Sequence, residues 1–199
     1  MVTAAQAPRL QQQFDFLTEI DKLKRIERQN VITDSSRREN SAEHSWHLAL
    51  LALVLAEYAG EAVDLFQVLK MLLVHDLVEI DAGDTFVHTE EELKLQTERE
   101  QVAASRIFAL LPPDQAADLL ACWREFEAGR SAEARFAKSL DRVQPALLHQ
   151  ATDAVVWQKH GTTKEQIWAQ MRVVRENTPA LWPQIAALIE AAAGKGRLR

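Results

Sequence analysis

Four residues of this chain could do chemistry together: His44, the adjacent pair His75-Asp76, and Asp141. Each lies in a stretch whose apolar residues recur at helical spacing, and each sits on or beside the apolar stripe. An imidazole or carboxylate placed there costs free energy unless something compensates it. One divalent metal ion bound by all four would compensate all four at once. Two imidazole nitrogens and two carboxylate oxygens make an equatorial set for a hard or borderline ion, with positions left for water and substrate. Mn, Co, Fe(II), Ni or Mg suit such a set; Zn fits but is not selected by it.

Each residue alone also has a plainer explanation. His44 shares a face with Leu48, Leu51 and Leu55, so a core histidine bonded to a carbonyl explains it as well. Asp141 alone could be a surface salt bridge with a neighbouring Arg or Lys. His75-Asp76 lies in LFQVLKMLLVHDLVE, apolar nearly all round, where a buried ion pair is the alternative to a ligand pair. Adjacent helical residues point about 100° apart, so the two are expected to satisfy one another poorly and to lean toward an ion between them.

The elements that must position these residues follow from periodicity and caps. Helices are predicted over 10–28, 41–58, 65–79, 89–111, 114–128, 132–158, 163–177 and 179–192. Ser41 and Asp64 are the expected N-caps of two of them, and Thr89/Glu92 and Thr162/Glu165 are expected capping boxes. Residues 29–40 (QNVITDSSRREN) and 80–88 (IDAGDTFVH) read as loops. Gly60 and Pro112-Pro113 stop helices, and Pro145 should kink one. No strand-like alternation persists. The expected fold is all-α, roughly seven or eight helices in one domain over 1–199. Residues 1–8 would be a frayed tail, with the C-terminal helices 163–192 packing on the core.

Three words of sequence now become informative: SAEHSW (41–46), HDLVEIDAGD (75–84) and SLDRVQPALL (139–148). In order, spacing and helix context they resemble the HD-domain metal-dependent phosphohydrolases. Within that family they are similar to the branch that contains the bacterial 5′-deoxynucleotidases, over about residues 10–175. The HD pair alone is a weak motif; the three words together are specific. The resemblance implies an HD-domain helical bundle with His44, His75, Asp76 and Asp141 as ligands of one divalent metal ion. It implies hydrolysis of nucleoside (deoxynucleoside) 5′-monophosphates to nucleoside and phosphate, in a homodimer.

The same resemblance gives roles to residues around the metal. Acidic residues at the places of Glu79 and Asp84 are needed for hydrolysis in the nucleotidases. Glu79 follows His75 by four and Asp76 by three, on one helical face, and Gly83 permits a tight turn before Asp84. Without the other ligands, a helix-end Glu and an Asx-turn Asp would explain them equally. Arg28 and Arg37 fall where the resembled enzymes carry arginines, the first of which holds substrate phosphate; a solvated basic surface is the alternative. Gln29 follows Arg28 where the bacterial nucleotidases carry a Trp, a departure that bears on nucleoside stacking. In the expected reaction the metal lowers the pKa of water, arginines hold phosphoryl oxygens, and Glu79 or Asp84 protonates the leaving oxygen.

Composition and competing motifs narrow the class. The net charge of −6 over 199 residues disfavours a nucleic-acid polymer as partner. The single cysteine, Cys122, rules out an intrachain disulfide and suits a reducing cytoplasm. The longest apolar run, Leu48 to Ala56, is about half the ~20 residues of a membrane span, and Met1 to Pro8 lacks the pattern of a secretory signal. A (p)ppGpp hydrolase of the HD type would carry Glu-Asp where this chain has Glu79-Ile80. A di-iron HD oxygenase would need more histidines between the HD pair and Asp141 than the one present, His88. HD-GYP signature words are absent. A non-catalytic helical metal-binding protein is the remaining alternative class.

Overall fold

Helices cover most of the chain because Ala and Leu are abundant and Gly and Pro, at six each, are scarce. The computed structural model describes residues 6–84 and 90–199. Residues 1–5 of the expected tail, residues 85–88 of the expected loop and the cap residue Thr89 lie outside the described residues. In chain order the elements are α1 (Ala7–Ile20), β1 (Glu27–Val31), β2 (Arg38–Asn40), α2 (Ser41–Leu55), α3 (Leu65–Val74), α4 (Glu79–Ala82) and α5 (Glu90–Phe108). Then come α6 (Pro113–Ala128), α7 (Ala132–Ala151), α8 (Val155–His160), α9 (Lys164–Gln170), α10 (Arg172–Asn177) and α11 (Trp182–Gly194).

The all-α expectation holds, but several of the expected helical stretches are broken: the one expected over 10–28 ends its α-helix at Ile20, continues as a 3-10 turn over Asp21–Arg25 and gives way to β1 at Glu27. The stretch expected over 65–79 tightens into a 3-10 turn at His75–Val78 between α3 and α4. The stretch over 132–158 breaks where Asp153 (φ 50°) and Ala154 (φ 56°) both turn left-handed, an expensive conformation outside glycine. The 29–40 loop is instead largely a two-stranded antiparallel hairpin, pairing Glu27 with Asn40 and Val31 with Arg38 across an irregular register. It escapes hydrophobic pattern recognition because its inward residues are polar or charged. Two caps also move by one residue. Asn40, not Ser41, accepts from the Glu43 amide and forms the capping box of α2. Thr163 with Gln166, not Thr162 with Glu165, forms the box of α9.

Two apolar clusters form the core. The larger joins Phe16, Leu48, Met71, Leu72, Ile107, Phe108, Trp123 and Leu140, among others. The second joins Val143, Ala146, Trp157, Ile167, Val174, Ile185 and Ile189, so the C-terminal helices pack through α7. Helix α7 serves both: Phe136, Ala137 and Leu140 face the first, Val143 and Ala146 the second. Asp141 lies at the junction. Pro145, inside α7, cannot donate an amide to the carbonyl of Asp141, which frees the backbone one turn behind that residue. Gly60, expected only to stop a helix, is also needed for space, because any Cβ there would collide with the carbonyl of Asn177.

Candidate metal centre

Helices α2 and α7 and the 3-10 turn after α3 converge on one buried point. His44 comes from the first turns of α2, which the Asn40–Glu43 box starts and Leu48 and Ala52 anchor in the core. His75 and Asp76 come from the 3-10 turn, and Asp141 from the middle of α7. Side-chain ligand atoms of His44, His75 and Asp141 all lie within 4.8 Å of one another. Asp76 stands beside this trio, with Oδ1 at 3.0 Å from Nε2 of His75 and Oδ2 at 3.0 Å from Arg28.

The outer nitrogens of both rings are already used. Nδ1 of His75 is 3.0 Å from the carbonyl of Leu72, and Nδ1 of His44 is 3.0 Å from Oε1 of Gln144. Both partners can only accept, so both Nδ1 atoms carry protons. A neutral ring then has only a lone pair at Nε2. The His44 lone pair points at Asp141 Oδ1, 3.0 Å away, while His75 Nε2 lies 3.0 Å from Asp76 Oδ1 and 3.9 Å from Asp141 Oδ1 without being aimed at either. Nε2 of His75 is buried and makes no aligned hydrogen bond. Facing lone pairs repel unless a proton or a cation lies between them. The donor set, two imidazoles oriented from behind and two carboxylates in front, therefore fits a divalent cation.

The electrostatics are those of a site with too much negative charge. Burial alone would push the His75 imidazole down, but Asp76 outweighs it and the pKa rises to about 9. Burial would raise Asp76, yet His75 and Arg28 hold it down near 2. Burial would also raise Asp141, but Arg142 and His44 keep it well below the usual carboxylate range. Glu79 goes the other way: burial, with Asp76 close by, lifts it to about 8. Burial lifts Asp84 as well, against the pull of Arg28.

The flanking residues divide into those the structure brings in and one it does not. Arg28, on β1, is buried against Asp76 and also feels Asp141, Glu79 and Asp84, so its charge is held more firmly than usual despite burial. Glu79, opening α4, accepts a 2.6 Å hydrogen bond from Ser41 Oγ. Ser41 thus uses its hydroxyl on the acid rather than on the helix cap. Gly83 (φ 75°) makes the turn that brings Asp84 round, a conformation glycine adopts without strain. Arg37 is placed elsewhere: it is exposed and forms a bidentate pair with Glu43 at 2.7 and 2.8 Å. Sequence reasoning missed Glu39 and Gln144, both buried directly behind His44. Gln144 follows Asp141 by three, so the shared helical face is the available signal; Glu39 lies in a polar stretch whose sequence pattern predicts a loop.

Fold and site together define a predominantly helical protein that brings two histidines and two aspartates from sequence-distant elements into one cluster able to hold a metal. The model of the HD domain family matches residues 20–182, and the chain belongs to that family. A crystal structure of a predicted metal-dependent phosphohydrolase from Magnetospirillum magnetotacticum is 49% identical, covers 100% of this chain and 99% of its own, and superposes with a TM-score of 0.92. An HD-domain phosphohydrolase from Listeria innocua shares the fold at 18% identity, with a TM-score of 0.63 over 89% of this chain and 92% of its own. The human protein named 5′-deoxynucleotidase HDDC2 is 31% identical over 133 residues, 66% of this chain. That match spans 64% of the human protein's length, just under two thirds. No described helix is long and apolar enough to cross a membrane.

Proposed function

We propose that this protein is a metal-dependent phosphohydrolase that converts nucleoside, especially deoxynucleoside, 5′-monophosphates to nucleoside and phosphate. The observation that carries the metal-dependent part is the gathering of His44 Nε2, His75 Nε2 and an Asp141 oxygen within 4.8 Å of one another, on two rings whose other nitrogen is occupied from behind. His44, His75, Asp76 and Asp141 would hold one divalent ion. When bound, the ion supplies Lewis acidity toward a phosphoryl oxygen and lowers the pKa of water. The substrate class is supported by the human relative's name and by the three sequence words.

The protein's own groups do the rest. The Arg28 guanidinium has the charge and reach to hold a nonbridging phosphate oxygen beside Asp76. Burial and the neighbouring Asp76 raise Glu79 to about 8 in the metal-free site, which suits it to donate a proton to the 5′-oxygen as the P–O bond breaks. Water adds its oxygen to phosphorus and gives up one proton, the pair of electrons in the broken bond goes to the leaving oxygen, which takes the Glu79 proton, and the proton from water restores Glu79; the products are nucleoside and inorganic phosphate. Ser41 orients Glu79. Asp84, raised by burial against the attraction of Arg28, is the alternative proton donor. Arg37, engaged with Glu43, is not placed in the phosphate-binding set.

The single buried cysteine suits a reducing compartment, and we place the enzyme in the cytoplasm. We further propose one domain and a homodimer. Helix α2 is apolar nearly all round, and Trp46, Leu50, Leu53 and Val54 form an exposed stripe on it that a second copy could cover. The test of function is phosphate release from a panel of nucleoside and sugar monophosphates, each with Mn, Co and Mg. The Asp76→Ala variant is the blank. Hydrolysis by that variant at the parent rate refutes the metal site as the seat of activity. Absence of any activity on nucleoside monophosphates, alongside activity on another phosphate, refutes the substrate class.

A further inference from the structure

Behind His44 lies a buried polar chain that the reaction above does not use. Gln144, with no exposed surface, is 3.0 Å from His44 Nδ1 through its oxygen. Its nitrogen donates to Glu39 Oε1 at 2.5 Å and faces Nδ1 of His47 at 3.2 Å. Glu39 itself is 3% exposed and reaches the site from β2, with Oε2 at 3.7 Å from both Arg28 Nε and His44 Nδ1.

An amide can present either end to a neighbour, and the two choices have opposite effects on His44. With oxygen toward His44, Nδ1 must carry the ring proton and Nε2 keeps its lone pair toward Asp141. With nitrogen toward His44, the proton is driven to Nε2, where it covers the ligand atom. What decides the choice is the other end of the amide. Burial raises the Glu39 carboxyl, against the pull of His44 and of Arg28 beside it; in its ionised form it accepts and does not donate, so it demands the nitrogen. We propose that Glu39 and Gln144 form a positioning pair that locks His44 in the Nδ1–H form and thereby sets the affinity of the site for its metal ion. This rests on the reading of His44 as a ligand.

Two readouts separate the proposal from that reading. The first needs no metal: nitrogen chemical shifts of His44 in chelator-stripped full-length protein report which ring nitrogen bears the proton. The second is titration of Mn²⁺ into the same preparations. In the parent, His44 is Nδ1–H. In Gln144→Met, which keeps the volume and removes both hydrogen bonds, the Nε2–H form appears and Mn²⁺ binds about 10- to 100-fold more weakly, the usual loss for such an outer partner. The double variant Glu39→Gln/Gln144→Glu reverses donor and acceptor between the two positions while still offering His44 an acceptor. It should restore the Nδ1–H form and Mn²⁺ binding to within a few-fold of the parent, and it guards against a Gln144→Met variant that fails to fold. If His44 stays Nδ1–H and Mn²⁺ binds undiminished in Gln144→Met, or if the double variant folds without recovering either, the positioning pair is refuted. A parent that shows the Nδ1–H form yet binds no Mn²⁺ refutes the ligand reading and, with it, the link to metal affinity.

Discussion

Nε2 of His75 lies 3.0 Å from Oδ1 of Asp76, its own neighbour in the chain, without the alignment of a hydrogen bond. A regular helix would set two adjacent side chains about 100° apart. The 3-10 turn at His75–Val78 sets them still further apart, about 120°, so the two ligand atoms meet through their side-chain torsions and not through the backbone winding. Two ligand-type atoms crowd one space, and a proton or a metal ion must mediate between them.

Metal binding should therefore displace a proton. His75 titrates near 9 without metal, so at neutral pH the ring is protonated and must lose that proton to ligate. Apparent affinity for Mn²⁺ should rise with pH up to about 9, by up to about tenfold per unit. Calorimetry at pH 7 in buffers of different ionisation enthalpy should show about one proton released per ion. Enthalpies that do not depend on the buffer would contradict this.

The metal-free protein should lose stability as pH rises from 6.5 to 9. The His75 pKa is raised in the folded state, so its stabilisation is complete below the unfolded value near 6.5 and gone above about 9. Glu79 is also raised, from 4.5 to about 8, and acts in the same direction over the shared part of that window. Each group contributes a slope of up to about 1.4 kcal/mol per pH unit. Thermal melts of chelator-treated protein should show a falling Tm, and saturating Mn²⁺ should remove the fall. A flat or rising metal-free Tm would contradict the assignment.

Glu79→Gln should separate catalysis from metal binding. The amide still accepts from Ser41, but it has no acidic proton to give. We expect kcat to fall about 10²- to 10⁴-fold, with Mn²⁺ affinity within a few-fold of the parent. Ser41→Ala removes a donor that favours the ionised form of Glu79, so the carboxyl should hold its proton to higher pH. The alkaline fall in the rate profile should move upward in that variant. An unshifted profile would remove Glu79 from the role of acid.

The exposed stripe on α2 should matter to assembly and not to the ligands. Val54 is 70% exposed, and Val54→Glu puts a charge on the proposed contact. Sedimentation should show a parent dimer converted to monomer. A parent that sediments as a monomer at all concentrations would end the dimer proposal.

The ligands were legible because imidazoles and carboxylates stand out on apolar stripes. His44 beside Leu48 and Leu51, and Asp76 after Leu72, are conspicuous against what burial costs. The helical architecture was legible for the same reason, since the stripes have a period. The breaks were hidden. Leu77 and Val78 suit an α-helix as well as a 3-10 turn, and Asp153 and Ala154 adopt left-handed backbone without the glycine that would have announced it. The hairpin was hidden because Arg28 and Glu39 point inward, so its buried face is charged and leaves no hydrophobic alternation. Asn40 and Ser41 are both good caps, and only the proximity of Glu79 decides which one is used.

The convergence of α2, the turn after α3, and α7 has a bearing on how the chain assembles. No single helix owns enough of the site to hold an ion: α2 and the turn after α3 supply three of the proposed ligands, and Asp141 on α7 closes the set. The pocket exists only after the middle of the chain has docked on both earlier helices. An ion captured there would act as a clasp across long stretches of polypeptide, tight only around a completed tertiary structure, and its retention during gradual unfolding would mark the moment at which α7 lets go.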